Sequence, residues 1–297
     1  MPGRSRQPTG SGRASPWWLG GLGLRRFALE LYAGIAEDEI LDRAAALSYY
    51  FLLALFPTLL FLTALLGLLP GSGLMEQLLR YGDQVLPPDA ASLLARTLAE
   101  VERGANRGLL SLGAVGILWA ASRGIRSLIV ALNVVFDVPA ARPWWRRQLV
   151  AVALTVALGV FTVAALLLLG FGQRIGQAVA AWTGVGDEFT TVWAVAQWPL
   201  AIALGIVGLD LAYYLAPAAR PRWTWITPGA VVAVVGWLVM ALGLRAYVNH
   251  FGDYNATYGS IGAVIVLMLW LYLSGAAVLV GGEVNAVIAR AERERYR

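Results

Sequence analysis

The chain has 297 residues, of which 59% are hydrophobic and only 14% are charged, and its mean hydropathy is +0.66. Soluble domains are about 45–50% apolar and about 25% charged, so the composition indicates a membrane protein. Because the chain has no cysteine and a single histidine, disulfides, thiolate catalysis and metal sites built on cysteine or clustered histidine are excluded. We expect neither a metal nor another cofactor.

The formal net charge is +5, but the basic residues do not predict a nucleic-acid partner. They flank apolar segments instead of clustering on a polar domain, which is typical of residues that orient a protein in a membrane. Membrane lipids are therefore the expected partners. The sequence is also compatible with assembly into a homo-oligomer.

The N-terminal segment, residues 1–21, is rich in Gly, Ser, Pro and Arg and is predicted to be a disordered basic cytoplasmic tail without a cleaved signal peptide. In residues 22–41, apolar side chains recur at three- and four-residue spacing between charged ones. This pattern predicts an amphipathic helix at the membrane interface. The apolar positions are Leu24, Phe27, Leu31 and Ile35.

Six apolar segments follow, each long enough for the roughly 20 helical residues that cross a bilayer. They are residues 44–69, 109–135, 149–171, 192–215, 226–248 and 260–284. The predicted fold is all-α, a polytopic membrane protein with six transmembrane helices plus the interfacial helix. The membrane domain covers residues 22–290, a helical hairpin at 70–108 forms a short extracytoplasmic cap, and residues 291–297 form a charged cytoplasmic tail.

The distribution of arginine predicts the orientation. In this topology 17 of the 23 basic residues lie on one side of the membrane and 6 on the other. Positive charge accumulates on the cytoplasmic side. Both termini are therefore expected in the cytoplasm.

Ionisable residues inside the apolar segments are few, and each costs roughly 2.5–3.5 kcal/mol at the bilayer centre on insertion scales. We predict that four of them, at similar depth, form one buried polar network, and they are candidates for a substrate or proton path. They are Arg123, Arg126, Asp210 and Glu283. In the alternative interpretation, Glu283 only neutralises Arg290, seven residues further along the same helix, and holds helices together.

Other polar residues are candidates for the same path, and two prolines interrupt predicted spans. Tyr213 and Tyr214 share a helix face with Asp210, and the further candidates are Tyr50, Asn133 and Asn285. Pro57 and Pro199 are predicted helix kinks. Their opposed positions in the first and fourth spans are a weak sign of an inverted repeat, with chance as the rival explanation.

Four segments together resemble the YihY/BrkB family of bacterial inner-membrane proteins. They are AAALSYYFLLALFPTLLF (44–61), LNVVFDVPAARPWWRR (132–147), DLAYYLAPAARPRWTWITPGA (210–230) and YGSIGAVIVLMLWLYLSGAAVLVGGEVNA (258–286). The resemblance implies six helical spans with cytoplasmic termini, suspected transport, and an old ribonuclease BN label. The family's recurrent positions fall on Ala46, Tyr50, Pro57, Asn133, Tyr214, Pro217, Pro228, Gly229, Tyr258, Gly259, Trp270, Glu283 and Asn285.

Three functions follow from these features. The first is a transporter, exporter or flippase of a small solute or lipid; without a phosphate-binding loop of the G-x-x-x-x-G-K-[ST] type, it would have no ATPase of its own. The alternative is a structural or scaffolding protein of the cell envelope. A ribonuclease is disfavoured because one histidine and no cysteine cannot supply the ligands of a metal-dependent nuclease, so the chain is not expected to be an enzyme.

Overall fold

The computed structural model describes residues 16–67, 107–138, 142–183, 187–218, 225–250 and 260–295. These residues form a short 3-10 helix, Pro16–Gly21, and seven α-helices. The α-helices are α1 (Leu24–Glu37), α2 (Ile40–Gly67), α3 (Arg107–Val135), α4 (Trp144–Thr183), α5 (Asp187–Leu215), α6 (Pro228–His250) and α7 (Ser260–Arg295). The predicted all-α class is confirmed for this part of the chain.

Four of the helices are long and apolar enough to cross a membrane. The apolar stretches are Trp144–Trp182, Phe189–Leu215, Pro228–Val248 and Val264–Arg295. The helices α2 and α3, of 28 and 29 residues, occupy the first two predicted spans, so a count of six stays a prediction. The predicted extracytoplasmic cap at 70–108 lies almost wholly outside the described residues.

The last helix, α7, is at the centre of the bundle. It packs against α6, α2, α3, α1 and the 3-10 helix, while α4 and α5 pair with each other and α2 pairs with α3. The main core combines residues of α2, α3, α4, α5 and α7, and its fully buried members include Leu47, Leu132, Leu154 and Leu279. A polar side chain that α7 directs into this bundle is therefore removed from water.

The N-terminal segment folds back onto α7. A second apolar cluster joins Phe27 of α1 to Val284, Val287 and Ile288 of α7, with Leu31 packed beside it. A helix is thus present where the interfacial helix was predicted, and it packs on the protein through part of the predicted face. Leu24, on the same predicted face, does not pack on the protein, and three quarters of its surface is exposed.

Part of each predicted tail is helical and packs on the protein. Residues 16–21 form the 3-10 helix, and its Leu19 packs against the same apolar cluster on α7. At the other end, α7 continues to Arg295, and Ala291 is buried. Each end gains order from the other, because the 3-10 helix packs directly against the last turns of α7.

The two prolines predicted to kink helices lie inside continuous helical segments. Pro199 is in the interior of α5. Residue 57 falls within α2, but its side chain lies outside the described residues. Proline cannot donate the backbone hydrogen bond of a helix interior, so the carbonyl group four residues before each proline loses its usual donor.

Candidate functional site

Glu283 is the most completely buried ionisable residue of the described chain, with 0% of its surface exposed. Its Oε1 accepts a hydrogen bond from Nη2 of Arg290, two turns further along α7. Arg290 Nη1 also donates to Asp137 Oδ2, at 2.9 Å. The pairing of Glu283 with Arg290, which was the alternative interpretation of the sequence, is the arrangement that forms.

The two oxygens of the Glu283 carboxyl group have different surroundings, and Oε1 is the one that lies against Gly34 of α1. Glu283 Oε2 is buried and receives no hydrogen bond, and the same holds for Oδ2 of Asp38, which follows the last turn of α1. The two carboxyl groups lie within hydrogen-bonding distance of each other. Two ionised carboxylates offer only acceptors, so neither oxygen is satisfied unless a proton is shared between them.

Burial raises the pKa of the Asp38 carboxyl above its ordinary value of 3.8. The negative charge of Asp137 raises the pKa further, whereas the hydrogen bond with Glu283 and the guanidinium groups of Arg290 and Arg43 lower it. Desolvation is the largest of these effects, as expected for a charge removed from water. The net result of these effects is a pKa of the Asp38 carboxyl above its ordinary value.

The approach of α1 to Glu283 depends on a residue without a side chain. Gly34 is buried in α1, and a Cβ atom at this position would overlap the Glu283 carboxyl group and crowd Nη2 of Arg290. The backbone of α1 therefore lies directly over the carboxyl group. Any larger side chain at position 34 has to displace it.

Asp210, the other predicted acid, lies in a separate and saturated polar site. Only 2% of its surface is exposed, and it accepts hydrogen bonds from the hydroxyl and the backbone N–H of Thr227, the latter at 3.3 Å. The Thr227 hydroxyl also accepts from Nδ2 of Asn285, at 2.9 Å, and from the N–H of Ala230, at 3.2 Å. Thr227 is thus both the N-cap of α6 and the link from α5 to α7.

Asn285 completes this link because α6 and α7 approach each other closely. Its Oδ1 accepts a hydrogen bond of 2.9 Å from the N–H of Gly229. A Cβ atom at Gly229 or at Gly281 would collide with the facing helix backbone, so glycine at both positions permits the contact. Tyr213 lies beside the same contact and donates from its hydroxyl to the Val278 carbonyl, at 2.6 Å.

The predicted network of four charged residues does not form. Among the described contacts, Arg126 donates to Gln148 Oε1 at 3.3 Å, and Gln148 in turn donates to Ser122 at 2.8 Å. Arg123 is exposed. The four residues are predicted to lie at a similar depth in the membrane. However, α3 directs Arg126 toward α4 and Arg123 outward, away from the two acids.

The remaining predicted residues lie outside both acidic sites. Asn133 Oδ1 accepts a hydrogen bond of 2.8 Å from the N–H of Ala218, which fixes the chain after α5. Tyr50 is exposed and its ring contacts Tyr49 edge to face. Tyr214 is partly buried.

Several residues of the site were not among the predicted ones. Asp38, Thr227 and Gln148 contact a predicted site residue directly, and Asp137 pairs with Arg290, the partner of Glu283. Arg142 donates to the carbonyl oxygens of Leu215, Ala216 and Pro217 and so satisfies the C-terminal end of α5. One sequence signal was available for Thr227, because a threonine directly before a proline that opens a helix is a typical N-cap.

The comparisons with known proteins bear on identity. A family profile described as "Virulence factor BrkB" matches residues 31–297. The chain belongs to the BrkB family. This result confirms the resemblance stated from the four sequence segments, and it makes the chain a membrane protein of a family with bacterial relatives.

Individual relatives support the same assignment. The BrkB protein described here is 37% identical over 268 residues to the ribonuclease-like protein YfkH of Bacillus subtilis (strain 168), covering 90% of this chain and 96% of YfkH. It is 26% identical to the UPF0761 membrane protein Smlt0865 of Stenotrophomonas maltophilia (strain K279a) and 28% identical to a UPF0761 membrane protein of Chromohalobacter salexigens. The alignments cover 89% and 90% of this chain but 61% and 64% of those longer relatives. No solved structure matches the chain significantly.

The described residues do not gather the ligands that a metal-dependent nuclease requires. Such an enzyme holds its metal with several His, Cys, Asp or Glu side chains. No group of three such residues that could hold a metal is present in the described part of the chain.

Proposed function

We propose that this BrkB protein is a bacterial inner-membrane transporter or flippase of a small solute or lipid, driven without an ATPase of its own. The observation that carries the proposal is the Glu283 carboxyl group, which is fully buried in a membrane-spanning helix and has one oxygen without a hydrogen-bond donor. Leaving a buried polar group unsatisfied costs about 1–3 kcal/mol. A site of this kind is typical of residues that bind and release an ion or a proton during transport.

The contrast with Asp210 supports assigning the functional role to Glu283 alone. Asp210 is saturated by Thr227 and, through it, joined to Asn285, which is the arrangement expected of a purely structural contact. Glu283 instead lies where the central helix α7 packs against α1, which follows the 3-10 helix at the described N-terminal end. Its unsatisfied oxygen favours an ion-binding role over a purely structural one.

The cargo can be sought directly. We suggest identifying lipids and solutes that co-purify with the full chain, and then measuring translocation of a headgroup-labelled phosphatidylglycerol and of the enriched solutes in proteoliposomes. A transporter is expected to move one of these probes faster than protein-free liposomes do. If every enriched compound crosses proteoliposomes and protein-free liposomes at the same rate, the scaffold interpretation replaces the proposal.

A further inference from the structure

The contact between Asp38 and Glu283 brings more negative than positive charge together. Asp38 comes from the end of α1, Glu283 from α7 and Asp137 from the end of α3, so three carboxyl groups face this point. Two guanidinium groups oppose them, Arg290 of α7 and Arg43 of α2. One additional positive charge therefore makes the cluster neutral.

The positions of the two arginines leave the carboxyl–carboxyl contact without a donor. Arg290 divides its two terminal nitrogens between Asp137 Oδ2 and Glu283 Oε1. The Nε of Arg43 donates to the backbone carbonyl of Asp38, at 2.7 Å. The side-chain oxygens Asp38 Oδ2 and Glu283 Oε2 receive nothing from either arginine and are both buried.

We infer that Asp38 and Glu283 form a binding site for a single proton, which is held between their carboxyl groups and fastens α1 to α7. A carboxylic acid donates one hydrogen bond and a carboxylate accepts it, so one proton satisfies both orphaned oxygens and supplies the missing positive charge. The inference rests on the proposed function in that it names the proton as the ion that Glu283 would bind during transport.

The position of Gly34 makes the bound proton a lock on α1. Because the backbone of α1 covers the Glu283 carboxyl group, which has no exposed surface, water reaches Glu283 only when α1 moves away. With both carboxyl groups ionised, like charges in a site of low dielectric constant repel each other, and α1 separates from α7. Deprotonation and exposure of Glu283 are therefore one event.

The direction of the pH dependence follows from Asp38. Burial raises the pKa of its carboxyl group in the folded state, so the folded state with α1 docked binds the proton more tightly than the unfolded chain does. The stabilisation of the docked state by this proton is fully present below the ordinary aspartate pKa of 3.8. It is lost as the pH rises through the raised pKa of Asp38 in the folded state.

The test is an infrared difference spectrum of the full chain in lipid nanodiscs, recorded as the pH is raised and without any transported compound. Wild type is expected to lose the band of a buried protonated carboxyl group. Asp38→Asn is expected to lack this band at every pH, with α1 still docked, because the amide donates to Glu283 Oε2 as the acid does. The matched control is Glu37→Gln, which changes an exposed neighbour. This variant is expected to titrate like wild type.

Hydrogen exchange of the α1 amides gives a second readout in the same samples. Exchange corrected for its intrinsic pH dependence is expected to become at least tenfold faster in wild type across the titration, and to stay slow in Asp38→Asn. The inference is overturned if wild type shows no titrating carboxyl band, if Asp38→Asn keeps the band, or if sodium ions shift the midpoint. That last result would assign the site to a metal cation.

The outcome separates this inference from the proposed function, since no cargo takes part in the titration. A titrating Asp38–Glu283 pair in a protein that moves no probe would overturn only the transport proposal. Flux that depends on Glu283 in a protein without the titrating band would overturn only the shared proton.

Discussion

Three hydrogen bonds converge on the hydroxyl oxygen of Thr227. It donates to Asp210 and accepts from Asn285 and from the N–H of Ala230. Replacing the hydroxyl by a methyl group in Thr227→Val keeps the shape of the side chain but removes the main donor to a buried carboxylate. The loss is expected to lower the free energy of unfolding by about 1–3 kcal/mol, measured by thermal unfolding in detergent.

The conservative variant Thr227→Ser is the control, because it retains the hydroxyl group and loses only a methyl group. Its stability is expected to stay much closer to that of wild type. Equal stability of the valine variant and wild type would show that the Thr227 contact does not hold α5, α6 and α7 together.

At the residue level, the sequence predicts which acids are buried, but of their partners it names only Arg290, as the alternative interpretation of Glu283. Asp210 and Glu283 are recognisable because carboxyl groups are rare in apolar segments. Asp38 lies in a polar stretch between two helices, and its role appears only when α1 is seen to fold back on α7. The choice of Arg290 over Arg126 likewise depends on how α3 is rotated, which an apolar pattern with a weak periodicity does not fix.

At the level of elements, the docking of α1 on α7 depends on a close backbone approach at Gly34. The variant Gly34→Ala places a methyl group where the Glu283 carboxyl group lies. Overpacking of this kind costs about 1–3 kcal/mol, so α1 is expected to dock more weakly and its amides to exchange faster with deuterium.

The control for this change is Gly23→Ala at the start of the same helix. An added Cβ meets nothing within 4 Å there, and the backbone φ of −67° accepts alanine. Exchange in the middle of α1 should match wild type. If Gly34→Ala also exchanged like wild type, α1 would not lie on the carboxyl group.

The helices themselves are largely predictable from hydropathy, and their ends are not. The segment 260–284 was predicted as the last span, yet α7 runs on to Arg295. Its final turns alternate charged residues with Val287, Ile288 and Ala291, which are buried against α1 and the 3-10 helix. A rule based on apolar length stops at the first charges, whereas tertiary packing extends the helix past them.

At the level of the whole molecule, the structure separates two polar centres that the sequence joins into one. The Asp210–Thr227–Asn285 contact ties three helices and is saturated. The Glu283 centre, between α7 and α1, keeps unsatisfied oxygens. Only the second has the properties expected of an ion-coupling site, so the two acids should respond differently when each is neutralised.

Flux through proteoliposomes, measured side by side for Glu283→Gln and Asp210→Asn with the cargo found by co-purification, tests this account most directly. Both changes remove one negative charge and keep the size of a buried side chain. We expect Glu283→Gln to abolish flux while the protein stays inserted and folded, and Asp210→Asn to retain flux with reduced thermal stability. Undiminished flux in Glu283→Gln would contradict the account.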